Sequence, residues 1–82
     1  MKTNIFKKAI INRCKIRFLY NLQEIMLEPY FLSTSLNGKK VLFGRVNSTS
    51  EIRMFQYDKI LNIKVLEWKK FSPIIPIIPS YN

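Results

Sequence analysis

The chain has 82 residues, with fourteen Lys and Arg against five Asp and Glu, no His, one Cys and a formal net charge of +9. That length holds one small domain with a thin stability margin. A lone Cys and no His exclude an intramolecular disulfide, a usual structural zinc site and any Ser-His-Asp or Cys-His pair, while the charge favours an anionic partner and is silent on the fold.

Lys2, Lys7 and Lys8 occupy the start of the chain without a following apolar run, so no signal peptide is expected. The apolar stretches fall short of the ~20 residues that span a bilayer. A cytoplasmic location without a membrane partner is the expectation.

Thr3 to Arg13 reads as a short helix, with Thr3 or Asn4 as its cap. Ile5, Phe6, Ala9, Ile10 and Arg13 recur at helical spacing, so one face can cover a small sheet. Cys14 lies between Arg13 and Lys15. It reads as a small hydrophobe at the helix end in preference to a reactive thiol.

Lys15 to Asn21 alternates as a strand. Ile16, Phe18 and Tyr20 share one face, and Lys15, Arg17 and Leu19 the other. Asn21 to Gln23 forms a turn, and Glu24 to Glu28 is the returning strand. Pro29 lacks an amide hydrogen and marks an edge or a bulge. The chain resumes extended from Tyr30 to Ser35. Asn37-Gly38 predicts a type I′ hairpin turn, because both residues tolerate positive φ. Lys39 to Val46 is the next strand, where Gly44 permits a bend or a close backbone approach. Asn47 to Ser50 is a polar loop.

Glu51 to Leu66 carries the most informative pattern. Arg53, Phe55 and Tyr57 share one face, Asp58-Lys59 breaks the alternation as a turn, and a last strand runs from Ile60. An arginine among aromatics on a pleated surface points to an anion or a base-bearing ligand. Asp58 fits a structural role in its turn. After Trp68, Pro73, Pro76 and Pro79 recur every third residue among isoleucines. That favours an extended or polyproline II segment, packed on its own domain or docked on a partner.

These elements predict a mostly β fold. A short N-terminal helix is followed by a five-stranded, strongly bent antiparallel sheet or a small barrel, then an extended Pro-rich tail. The division expected is a domain over residues 1–71 and a tail over 72–82.

The order of landmarks resembles the WYL domain family. It comprises Ala9-Ile10 in the helix; Ile16, Phe18 and Tyr20 in the first strand; Glu28-Pro29-Tyr30 with Leu32; and Arg53, Phe55, Asp58, Lys59 and Ile60 before Val65-Leu66. Where the family carries its naming Trp-Tyr-Leu, this chain has Lys40, Val41 and Leu42. The resemblance implies an Sm-like or SH3-like barrel. It also implies a ligand-sensing role in transcription regulation or phage defence, in some members with single-stranded nucleic acid as the ligand.

Candidate binding residues follow. Arg53 can hold a phosphate through two hydrogen bonds or stack on a base; its alternative is an ion pair with Asp58 or Glu28. Tyr20 and Tyr30 can supply stacking faces, while Arg17, Lys40 and Arg45 can continue a basic track. No catalytic residue, metal or cofactor is expected, and the leading reading is a non-enzymatic binding module for nucleic acid or a nucleotide-like anion. The alternative is an assembly protein that forms homo-oligomers or docks to a larger partner through strand edges and the Pro-rich tail.

Overall fold

A computed structural model describes residues 2–73. Its elements are helix α1 (Lys2–Asn12), strands β1 (Cys14–Tyr20), β2 (Gln23–Thr34), β3 (Lys40–Val46) and β4 (Ile52–Gln56), a single 3-10 turn (Tyr57–Lys59), and β5 (Ile60–Lys70). The strands form one antiparallel sheet in the order β4-β3-β2-β1-β5. Of the tail expected over residues 72–82, residues 74–82 lie outside the described residues.

Helix α1 starts at Lys2, so Thr3 and Asn4 sit inside its first turn. The helix is held by packing, since eleven residues are marginal alone. It buries Phe6, Ala9 and Ile10 against Ile16, Phe18, Ile25, Leu27, Leu32, Leu42, Val46, Phe55 and Ile60. Phe18 and Tyr20 both meet Phe55 edge-on, with ring centroids 5.2 and 4.9 Å away. Arg13 ends the helix at φ 56° and donates its amide to the Ile10 carbonyl at 3.1 Å. A glycine normally takes that position.

The hairpins invert the turn expectation. Asn21 and Leu22 have φ of 50° and 66°, and Tyr20 pairs directly with Gln23. This is the two-residue turn with two left-handed positions. Around Asn37-Gly38 the ladder ends at Thr34 and Lys40, and Ser35 donates its amide to the Lys39 carbonyl at 2.8 Å. Only Gly38 has positive φ, 79°, so the tip is a longer loop with one left-handed residue.

Pro29 does not split the strand. β2 runs through it, with a register irregularity between Pro29 and Phe31 that absorbs the missing donor. Gly44 sits across from Pro29, where a Cβ would lie 2.6 Å from the Glu28 carbonyl oxygen and 2.7 Å from Leu27 Cγ and Cδ2. The missing side chain lets β3 press against β2.

The sheet is strongly bent but does not close into a barrel. β4 and β5 are its two edges and share no ladder. β4 has only five residues, and the 3-10 turn carries the chain from it to β5 across the opening. At that seam the Gln56 amide donates to the Tyr20 hydroxyl at 3.2 Å.

Candidate functional site

Side chains alternate across a strand, so cross-strand partners share a face. The inner face holds Ile16, Phe18, Leu27, Leu42 and Phe55. On the outer face, Leu66 pairs with Lys15, Glu28 with Arg45, and Arg45 with Ile52. Beside that row, Arg17 pairs with both Met26 and Lys64. Lys15, Arg17, Arg45 and Lys64 therefore lie on one surface spanning β5, β1, β2 and β3.

Glu28 organises the first row. It is 7% exposed, and its carboxylate faces Lys15 Nζ at 3.9 Å and Arg45 at 3.6 Å. The Tyr30 hydroxyl donates to it at 3.4 Å. Lys15 also donates to Asn47 Oδ1 at 2.8 Å. One carboxylate thus serves two cations, and Arg45 Nε is buried without a hydrogen-bond partner. Arg17 meets Glu24 at 3.4 Å, a pair open to solvent and worth little. Four cations against two carboxylates leave the face positive.

The six residues expected to form one site are divided among several surroundings. Arg17 and Arg45 share the outer face. Arg53 lies on the inner face at the β4 edge, opposite Gly44, with its guanidinium 4.9 Å from the Phe55 ring centroid. Among the described residues it forms no ion pair. Glu28 is taken by Lys15 and Arg45, and Asp58 by Lys39 at 3.7 Å. Tyr20 is half-buried against Phe55, and its hydroxyl accepts from Gln56. Tyr30 is fully buried, stacked on Phe71 at 5.8 Å and 20°, and supports Glu28 from beneath. Lys40 is exposed at the start of β3, on a hollow of about 410 Å³ lined also by Lys2, Thr3 and Tyr57.

That hollow is tied to the helix. Lys2 Nζ donates to the Tyr57 carbonyl, and Phe6 meets the Tyr57 ring edge-on at 5.1 Å. Burial raises the Tyr57 phenol above its ordinary range, opposed by a side-chain hydrogen bond from Thr3.

Lys15, Lys64 and the central place of Glu28 were not singled out from the sequence. The alternation of Lys15 and Arg17 places both on one face, but only the β1–β5 register brings Lys64 beside them. Cys14 is buried, with Lys70 Nζ 3.3 Å from its sulfur. Among the described residues no group of His, Cys, Asp and Glu is placed to hold a metal ion, and no helix is long and apolar enough to cross a membrane.

The fold and face define a mostly β module with a basic outer surface. The structure is similar to part of proteasome accessory factor B/C (PafBC) of Arthrobacter aurescens, with a TM-score of 0.78 and 23% sequence identity. The match covers 85% of this chain but only 12% of the length of that one, so it establishes a shared fold. No protein-family model and no curated protein matches the sequence.

Proposed function

We propose that this chain is a non-enzymatic regulatory binding module that takes single-stranded nucleic acid on the outer face of its sheet. The observation that carries the reading is the Lys15–Glu28–Arg45 row with Arg17 and Lys64 beside it. Its cations stand on rigid strands and are only partly neutralised. Glu28 and Tyr30 fix the two cations of the first row, so little ordering remains when a phosphate arrives. A flexible single strand can follow the bent sheet, whereas a duplex is stiff on that scale. The fold likeness to a segment of an accessory factor, together with the WYL-like landmarks, supports a regulatory role beside a larger machine, in transcription control or phage defence.

Arg53 and Lys40 lie off this face and act through the general charge. Fluorescence anisotropy of labelled dT8 across a salt series, with an 8-base-pair duplex alongside, tests the reading. The expected result is salt-sensitive binding that prefers the single strand, is weakened by Arg17→Ala and Arg45→Ala, and changes little with Arg53→Ala. Equal weak binding to both forms would reduce the face to generic cationic attraction.

A second reading rests on the edges of the sheet. β5 is an eleven-residue edge strand with Leu61 and Trp68 exposed at 59% and 73%. An exposed edge of that kind is a template for pairing with another chain. A concentration-dependent sedimentation coefficient would favour assembly.

A further inference from the structure

Between β1 and β5 the ladder steps out of register. Arg17 pairs with Lys64 and Leu19 with Leu61, so Phe18 alone stands opposite both Ile63 and Asn62. This is a β-bulge, and Asn62 holds it at φ 55°. Asparagine tolerates that conformation better than most residues, but it is still unusual. The bulge opens a cleft of about 250 Å³ lined by Arg17, Phe18, Leu19, Glu24, Asn62 and Lys64. That space equals about eight waters in the bulk liquid.

The chemistry of the lining is specific. Arg17 brings a planar guanidinium, Lys64 an exposed ammonium and Asn62 an amide carrying two donors. Among the described residues neither Lys64 nor the Asn62 side chain has a hydrogen-bond or ion-pair partner. Glu24 holds Arg17 from one side at 3.4 Å, leaving the other donors of its guanidinium for a ligand. A second cleft of about 200 Å³ lies on the far side of Arg17, lined by Met26, Val46, Asn47 and Ser48 among others. Arg17 and Glu24 are common to the walls of both.

We infer that the bulge cleft is a phosphate subsite and that, with its neighbour across Arg17, it selects a chain of linked nucleotides over a single nucleotide. The inference rests on the nucleic-acid reading above and locates that ligand on the face. One phosphate sits between Arg17 and Lys64 with the Asn62 amide donating to it. The strand then crosses Arg17, and the next nucleotide enters the cleft beside Asn47 and Ser48. Bulges commonly re-aim a side chain at a functional position, and here the residue re-aimed is Asn62.

The test uses labelled dT8 with the parent chain, Lys64→Ala and Asn62→Gly, and unlabelled dT2 and thymidine 5′-monophosphate as competitors on the parent. Glycine accepts the φ of Asn62, so the second variant removes the amide while keeping the bulge. Losing one phosphate contact lowers the single-strand salt slope by about 0.7, which is about fivefold in affinity at 0.1 M salt. Lys64→Ala is expected to show both effects. Asn62→Gly is expected to weaken dT8 with the slope unchanged, because the amide carries no charge. Unlabelled dT2 is expected to displace the labelled strand at lower concentration than thymidine 5′-monophosphate, which cannot fill both clefts. Parent-like dT8 affinity and slope in both variants would overturn the subsite while leaving the wider reading in place. Failure of the parent chain to bind dT8 would overturn both.

Discussion

Replacing Glu28 by Gln should move stability and ligand affinity in opposite directions. The carboxylate lies 3.9 Å from Lys15 and 3.6 Å from Arg45, and its side chain is 10% exposed. At an effective dielectric of about 20 each attraction is worth roughly 4 kcal/mol before desolvation. Burial of the carboxylate cancels much of that, and water reaches both cations, whose side chains are 21% and 30% exposed. Glutamine keeps an acceptor, so the expected net loss is about 1–2 kcal/mol. For a chain of this size that corresponds to a fall in Tm of about 5–15 °C. The same change adds one unit of positive charge to the face. About 10 Å away in water, one unit charge is worth about 0.4 kcal/mol to a phosphate while screening is weak, which raises dT8 affinity about twofold at low salt. Urea denaturation and anisotropy on the same samples read the two effects. Stability within about 0.5 kcal/mol of the parent, or weaker dT8 binding, would refute the reasoning.

Gly44→Ala places a Cβ 2.6 Å from a backbone oxygen that cannot move aside, and overpacking of this kind costs about 1–3 kcal/mol; a loss under 0.5 kcal/mol in urea denaturation would contradict the close approach of β3 to β2. Leu22 is 99% exposed at φ 66°, so Leu22→Gly is expected to stabilise the chain by about 0.5–1 kcal/mol, and a clear destabilisation would argue against a left-handed residue there. The Tyr57 phenol titrates higher in the folded chain than in the unfolded one, mainly through burial. Its contribution is intact below the unfolded value near 10 and is lost as pH rises through the folded one. Tyr57→Phe should therefore flatten the fall in stability above about pH 10, and a variant with the same pH profile as the parent would remove Tyr57 from that role.

The sequence was most informative where hydrophobic period and strand alternation act alone. Helix α1, the aromatic face of β1 and the strand at Ile52 all follow from their patterns. The turns were harder. Asn37-Gly38 has the composition of a two-residue turn, yet the tip is longer, while Asn21-Leu22 adopts two left-handed residues without a glycine. There the register of β1 on β2 overrides the cost to Leu22. Pro29 reads as an edge or a bulge, and the pairing of β2 with β3 is irregular there, although the strand runs on through it.

The site was legible in its residue types and not in their grouping. Arg53 and Arg45 are eight positions apart in sequence and fall on opposite faces of the sheet, because β3 pairs Gly44 with Arg53 and Arg45 with Ile52. Lys64 joins Arg17 only through the β5 register, which the bulge at Asn62 sets. Tyr30 has the composition of a stacking platform, but the sheet buries it under Glu28. Long-range pairing decides each of these outcomes, and no local pattern encodes it.

The central claim is that ligand binds the outer face. A ¹⁵N-labelled sample titrated with dT8 and followed by amide chemical shifts tests it most directly. The account expects the changes to concentrate at Lys15, Arg17, Arg45, Asn62 and Lys64, with Arg53 and Phe55 nearly still. Shifts centred on Arg53, Phe55 and Tyr20 would contradict it and move the site to the inner rim of the sheet.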